Sequence, residues 1–165
     1  MQSIDLIRDN LHKSTERVLL RVEEMRGHCL VPPTANGGGH TLWVLGHLAY
    51  VEGLVIRQFM LGEPNPRADW EAIFDGADVP TDIAVYPPFD EVLAACRSAR
   101  HDTLALLDTI IESDLDRASA AAPKGTDDLF GTRRLCFQYV SDHWYMHRGQ
   151  LADARRASGV GRMWY

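Results

Sequence analysis

Two histidines near the carboxyl end of the chain are spaced so that they could share a metal ion. His143 and His147 lie four residues apart in the stretch SDHWYMHRGQ, residues 141–150. On a helix, residues four apart project from one face with their Cβ atoms about 5–6 Å apart, which suits two imidazoles that bind one ion. Surface histidine pairs with this spacing also occur, so the spacing alone leaves a solvated pair as the alternative.

The best candidate for a third ligand is His47, in the apolar, helical-looking segment WVLGHLAY, residues 43–50. A single histidine on an apolar helix face is usually a hydrogen-bonded core residue, and this alternative stays open. Burying several imidazoles costs several kcal/mol unless their nitrogens find partners, and a shared ion satisfies them together. We therefore predict a mononuclear site with His47, His143 and His147 as ligands and an open coordination position, as in catalytic sites.

The ligand set predicts one divalent ion, with zinc as the default and nickel, iron or manganese as alternatives, because a three-histidine set is not selective. The sequence lacks the motifs of several other kinds of catalytic or cofactor site. A zincin protease needs H-E-x-x-H, but residue 144 is Trp144. The chain has no E-x-x-H motif of a di-iron bundle, no G-x-S-x-G and no dinucleotide fingerprint. No role is assigned to the remaining histidines, which are His12, His28, His40 and His101.

Apolar residues at helical spacing predict an all-α, four-helix bundle. The predicted helices cover residues 3–26, 40–61, 89–112 and 132–157. The connection 63–88 is long and carries five of the eight prolines, with a short helix predicted at 67–75. No segment shows the alternation of a strand, and 165 residues are enough for one domain, 1–165.

Composition narrows the partners and the compartment. A formal net charge of −6 argues against nucleic acid and anionic membranes, which bind clustered Lys and Arg. Cys29, Cys96 and Cys136 are an odd number without a C-x-x-C motif, which indicates free thiols in a reducing compartment. The amino terminus lacks the pattern of a signal peptide, and the apolar run 41–56 is too short to span a bilayer. We therefore expect a cytoplasmic protein.

Two motifs in this order, W-x-L-G-H-L at 43–48 and H-x-x-x-H-R-G-Q-L at 143–151, resemble those of the DinB/YfiT-like superfamily of metal-binding four-helix bundles. The resemblance covers nearly the whole chain in length and element order. It implies that His47, His143 and His147 are the ligands. It also implies an up-down-down-up bundle, in which the long connection 63–88 crosses between helices 2 and 3.

The resemblance further implies an activity. Characterised relatives are thiol S-transferases that activate bacillithiol, mycothiol or glutathione, and others are described as hydrolases. A divalent ion with neutral ligands stays Lewis acidic and lowers the pKa of a bound thiol or water. We expect thiol transfer to a small electrophile, with hydrolysis or a non-catalytic binding bundle with a structural metal as alternatives. A homodimer is expected from the family and from the aromatic residues on helix 4, Tyr139, Trp144 and Tyr145.

Three further side chains are candidates for supporting roles. Gln150, three residues after His147, could orient that imidazole, with helix packing as the alternative. Tyr50, one turn after His47, could donate a proton at the open position, with core packing as the alternative. Arg148 could bind a substrate carboxylate or pair with another helix. Residues 163–165, with Trp164 and Tyr165, could cover the pocket or enter a subunit interface.

Overall fold

The computed structural model of the chain describes residues 2–76 and 78–162. Residues 163–165, for which two placements were considered, lie outside this part. The described residues form helices and no strand, with only two isolated β-bridges, at Thr34–Gly37 and Ala118–Thr132. The all-α prediction is confirmed, whereas the up-down-down-up order stays a prediction. The α-helices are α1 (Ser3–Leu19), α2 (Thr41–Gly53), α3 (Glu71–Phe74), α4 (Phe89–Leu107), α5 (Asp127–Phe130) and α6 (Arg133–Ala157).

The first helix is shorter than predicted. Residues 3–26 were expected to form one helix, but α1 ends at Leu19, Arg21 adopts a left-handed φ of 58°, and a 3-10 helix covers Val22–His28. The guanidinium of Arg155, buried on α6, donates to the Arg21 carbonyl at 3.2 Å and pairs with Glu24. The Arg21 carbonyl also accepts a hydrogen bond from the Glu24 amide at 3.2 Å, at the start of the 3-10 helix. The chain therefore turns here, although its apolar residues stay buried.

The second helix has the predicted limits. His40 precedes α2 and its ring accepts a hydrogen bond from the Trp43 amide, so it acts as the N-cap. After Gly53 the helix continues as a π-helix over Leu54–Met60, which the sequence did not predict. Gly62, with a φ of 72°, follows the helix end. The helix is buried on nearly every face, so it forms the centre of the bundle.

The third predicted helix, residues 89–112, is also too long, because α4 ends at Leu107. The Thr109 hydroxyl donates to the Leu106 carbonyl at 2.7 Å, and Asp108 pairs with Arg8 of α1 at 3.1 Å. Such side-chain hydrogen bonds compete with helix continuation. Glu112 instead accepts hydrogen bonds from the first amides of α1, and the neighbouring Ile111 is 66% exposed.

The last helix agrees with the prediction of residues 132–157. Thr132 caps α6 by accepting a hydrogen bond from the Leu135 amide at 3.4 Å. Trp144, on which the dimer prediction partly rested, is fully buried in the chain's own core. The homodimer stays a prediction. In the connection 63–88, a 3-10 helix (Ala68–Trp70) runs into α3, close to the predicted short helix at 67–75.

A buried ion pair joins the helices at the centre of the core. Arg100 of α4 is 1% exposed and donates to both oxygens of the fully buried Glu52 of α2, at 2.7 and 3.1 Å. It also donates to Leu11 and Ser14 of α1, and its guanidinium lies 4.1 Å from the centre of the Trp144 ring. The sequence analysis missed this network, because Arg100 lies in a polar stretch of the sequence.

Two expectations about compartment can be compared with the structure. Cys29, Cys96 and Cys136 are all free, as predicted. In residues 2–76 and 78–162, no helix is both long enough and apolar enough to span a bilayer.

Candidate metal centre

The three predicted ligand histidines meet between α2 and α6. The Nε2 atoms of His47 and His147 each lie 3.1 Å from Nε2 of His143, and one ring nitrogen from each residue lies within 4.8 Å of the others. Two nitrogens bound to one tetrahedral zinc at about 2.0–2.1 Å would be about 3.3 Å apart. The two 3.1 Å separations are therefore close to those of atoms that share one small cation.

The opposite nitrogen of two of the rings is held by an acceptor. His47 Nδ1 lies 2.6 Å from the Phe74 carbonyl oxygen, and His147 Nδ1 lies 2.7 Å from Gln150 Oε1. Oxygen atoms of this kind accept hydrogen bonds, so both Nδ1 atoms carry the proton and both Nε2 atoms carry a lone pair. Such partners fix the tautomer and ring orientation of ligand histidines.

This tautomer assignment leaves the centre of the cluster without enough protons. His143 Nε2 contacts the Nε2 lone pairs of both other rings, but it can donate at most one proton. At least one pair of nitrogen lone pairs therefore lies at 3.1 Å without a proton between them. A cation at the centre would be an acceptor for all three lone pairs. The residues present thus fit a divalent metal ion.

Burial keeps the imidazoles neutral. His143 and His147 are 7% and 5% exposed. Burial, reinforced by the neighbouring His147 and His47 rings, lowers the pKa of His143 to about 2. Burial and His47 lower the pKa of His147 to about 4, against the opposing hydrogen bond to Gln150. Burial also lowers the pKa of His47. The rings therefore carry free lone pairs at neutral pH, the form that binds metal.

The lowered pKa values predict that acid destabilises the metal-free protein. The unfolded chain takes up protons on histidine below about pH 6.5, whereas the folded chain resists, so stability falls as the pH drops. We expect each of His143 and His147 to remove about 2 kcal/mol from the free energy of unfolding between pH 7.5 and 5.0. Urea unfolding of the metal-free protein at the two pH values measures this loss. His147→Ala should lose less unfolding free energy between the two pH values than the wild type does. His101→Ala, at an exposed position, should lose as much as the wild type. A wild-type loss in His147→Ala would contradict the lowered pKa of His147.

The residues around His47 explain the W-x-L-G-H motif. The Trp43 ring stacks on the His47 ring at 4.5 Å between centroids and donates to the Ile73 carbonyl at 3.1 Å. The fully buried Phe74 packs so closely on α2 that a Cβ at Gly46 would lie 2.1 Å from its ring. The missing side chain at Gly46 therefore lets α3 approach, which brings the Phe74 carbonyl to His47.

Gly46→Ala is expected to damage the metal site without removing a ligand. The new methyl group would displace Phe74 and its carbonyl, with a loss of about 1–3 kcal/mol in stability from overpacking. Loss of the hydrogen bond to His47 should weaken metal binding about 10–100-fold. Gly149→Ala is the matched control, because its Cβ would meet nothing within 4 Å although it lies two residues after His147. Equal metal affinity in Gly46→Ala and Gly149→Ala, measured by titration, would refute this role.

The three predicted supporting residues lie at different places. Gln150 contacts His147, as described above. Tyr50 is 3% exposed, and burial, followed by the charges of Asp75 and Glu71, raises the pKa of its hydroxyl to about 12. It is thus protonated at neutral pH. Arg148 is half-buried on α6. The hydrogen bonds of the three histidine rings go to the Phe74 carbonyl, to Gln150 and to one another. The functional roles of all three residues stay predictions.

Sequence reasoning missed several residues of the site. The Phe74 carbonyl carries no sequence signal, because any residue has one. Tyr139 stacks on His143 at 5.6 Å between centroids, and its position one turn before His143 could have indicated this contact. Asp75 directly follows Phe74, whose carbonyl contacts His47, and its charge adds to burial in raising the pKa of Tyr139. His40, which received no role, is 1% exposed and binds the Pro80 carbonyl besides capping α2.

One side of the cluster faces a cavity. His143 and Tyr139 form part of the wall of a cavity of about 400 Å³ between α5 and α6. The Trp43 ring lies against His47 and His147, at 4.5 and 6.3 Å between ring centroids. A small molecule could therefore approach the histidines from the side of His143.

A comparison with known proteins identifies the family of the chain. The sequence profile of the DinB superfamily matches residues 8–151, which include all three histidines. No curated protein and no solved structure matches the chain. Because the match extends over most of the sequence, this protein belongs to the DinB superfamily.

Proposed function

We propose that this protein is a metal-dependent enzyme that transfers a low-molecular-weight thiol to a small electrophile. The observation that carries the proposal is the convergence of three imidazole Nε2 atoms, with one of the three rings, His143, in the wall of a cavity. Membership of the DinB superfamily supports a metal-binding enzyme.

A divalent ion held by these residues would act as a Lewis acid that lowers the pKa of a thiol or water toward neutrality. His47, His143 and His147 suit this use because neutral ligands leave the positive charge of the ion undiminished. The Phe74 carbonyl and Gln150 keep two of the rings in the required tautomer. Trp43 and Tyr139 cover ring faces of the cluster and exclude water from them.

The chain's own thiols do not suit the role of nucleophile. Burial raises the pKa of Cys29, Cys96 and Cys136 above the usual range, so all three are protonated at neutral pH. An external thiol is therefore the proposed nucleophile. With an aryl halide, transfer forms a bond between the sulfur and a ring carbon, the thiol proton passes to solvent, and the halide leaves with its bonding electrons. With an epoxide or an activated alkene, the new sulfur–carbon bond replaces a carbon–oxygen bond or a carbon–carbon π bond, and the product takes up a proton in place of the one that the thiol loses. Protonated Tyr50 is a candidate hydrogen-bond donor at the open position, and Arg148 a candidate partner for a substrate carboxylate.

The test is a screen of zinc-, nickel-, iron- and manganese-loaded protein with bacillithiol, mycothiol and glutathione against aryl halides, epoxides and activated alkenes. Mass spectrometry measures the conjugate, and the loss of free thiol measures its consumption. We expect conjugate with the wild type and with His101→Ala, and at least about 100-fold less with His147→Ala. Equal conjugation in His147→Ala or after chelation would contradict the proposal. Hydrolysed product without thiol consumption would instead favour the hydrolase.

A further inference from the structure

The cavity beside His143 has a lining that selects for ligand chemistry. Its apolar part consists of Leu129, Leu135 and Met146, and Leu129 and Met146 are 45% and 62% exposed. Large apolar side chains at this exposure gain free energy when a ligand covers them. At about 400 Å³, the cavity lies in the range of small-molecule sites.

The aromatic wall of the cavity is fixed in place. Tyr139 lies between the Phe130 ring, whose centre is 4.7 Å away, and the His143 ring, on which it stacks. Since both contacts hold its ring, the cavity is a preformed surface at this side. A ligand seated against Tyr139 is also adjacent to His143.

The charged side chains that line the cavity are all negative. Asp128 of α5 and Asp142 of α6 both line the cavity, and no lysine or arginine is among its lining residues. Asp142 accepts hydrogen bonds from Gln138 at 3.1 and 3.3 Å, so a neutral amide and not a cation holds it. An anionic ligand would meet repulsion here and a cationic one attraction.

We propose that the cavity beside His143 binds a small apolar molecule that carries a positive charge, with its apolar body against Leu129, Leu135 and Met146 and its charge beside Asp128 and Asp142. That this molecule is the electrophile of the transfer rests on the function proposed above. The thiols named there carry carboxylates or other polar groups, so the cavity lining suits the acceptor and not the thiol.

The test uses three probes with the same six-carbon chain. These are hexyltrimethylammonium, 1-hexanol and hexanesulfonate, and the ammonium group has no lone pair to bind a metal. Chemical-shift titration of the 15N-labelled full chain, metal-free and zinc-loaded, gives both the site and the dissociation constants. Two exposed charge pairs are expected to make the cationic probe bind about fivefold more tightly than the sulfonate. The shifts should centre on residues 128–129 and 135–146.

Variants of α5 and α6 isolate the charge effect. In Asp128→Asn/Asp142→Asn, the preference for the cationic probe should fall to less than about twofold. Asp127→Asn is the matched control, because Asp127 neighbours Asp128 on α5 but does not line the cavity, and its preference should stay at the wild-type value. A preference that survives the double substitution, shifts that map elsewhere, or equal binding of all three probes would overturn the proposal.

Two controls separate this inference from the proposed function and from self-association. The charge preference should be the same in metal-free protein and in His47→Ala, so it can hold even if no thiol transfer is found. In that case only the assignment of the ligand as the electrophile fails. If the amides of this face shift with protein concentration alone, a second copy covers the cavity, and the proposal is overturned.

Discussion

Replacing His143 by alanine is expected to weaken the binding of a divalent ion about 10²–10³-fold. Structural zinc sites with four ligands bind with about 10–16 kcal/mol, or about 2.5–4 kcal/mol for each ligand. The Nε2 atom of His143 contacts the Nε2 atoms of both other rings. Its loss therefore leaves a metal ion with only His47 and His147 as ligands. Competition with a chromophoric chelator measures the affinity for zinc.

Two other histidines serve as controls for this prediction. His101 is exposed on α4, so His101→Ala should change neither the metal affinity nor the stability. His40 is buried and caps α2, so His40→Ala should lower the free energy of unfolding by about 1–2 kcal/mol while the folded protein keeps its metal affinity. A metal affinity in His143→Ala within a factor of about three of the wild type would remove the basis for the site.

Arg100→Ala is expected to lower the free energy of unfolding by about 3–5 kcal/mol. The substitution removes the cation and leaves the carboxylate of Glu52 charged and fully buried among α1, α2, α4 and α6. The carbonyls of Leu11 and Val140 would also lose a hydrogen-bond donor. An uncompensated buried charge is the dominant cost, because its desolvation is no longer offset.

A nearby arginine provides the matched control. Arg97 lies one turn before Arg100 on α4 and pairs with Glu23 at the surface, where the two side chains are 50% and 58% exposed. Arg97→Ala should change stability by less than about 1 kcal/mol, because exposed pairs contribute little. Replacing both partners, Arg100→Met with Glu52→Leu, should recover much of the loss, since no charge is left buried. Urea unfolding measures all three variants. A loss below about 1 kcal/mol in Arg100→Ala would contradict this account.

The parts of the fold that depend on local periodicity were predictable. Apolar residues at helical spacing locate the four long helices, and α6 follows the prediction to within a residue at its start. The histidine site could also be predicted, because His143 and His147 are neighbours on one helix. His47, whose partner His143 is 96 residues away, was a candidate third ligand because it lies on an apolar helix face, and the family resemblance supported that choice.

The features that the sequence did not predict depend on contacts between residues far apart in the chain. The end of α1 is fixed by Arg155, 134 residues beyond Arg21. The role of Arg100 depends on Glu52, 48 residues away, although both looked like ordinary charged residues in the sequence. The Phe74 carbonyl that orients His47 belongs to the backbone, and only the packing of its ring against Gly46 places it there. Periodicity and motifs do not contain this information.

The most direct test of the shared metal site is the X-ray absorption spectrum of zinc-loaded protein that was purified without an affinity metal. We predict one zinc per chain, three imidazole nitrogens at about 2.0–2.1 Å and a remaining position filled by a light atom. In His143→Ala, the same measurement should show fewer than three imidazole ligands on any zinc that the protein retains. Three results in the wild type would contradict the account. These are a sulfur ligand on the zinc, fewer than three imidazole ligands, and less than one zinc per chain.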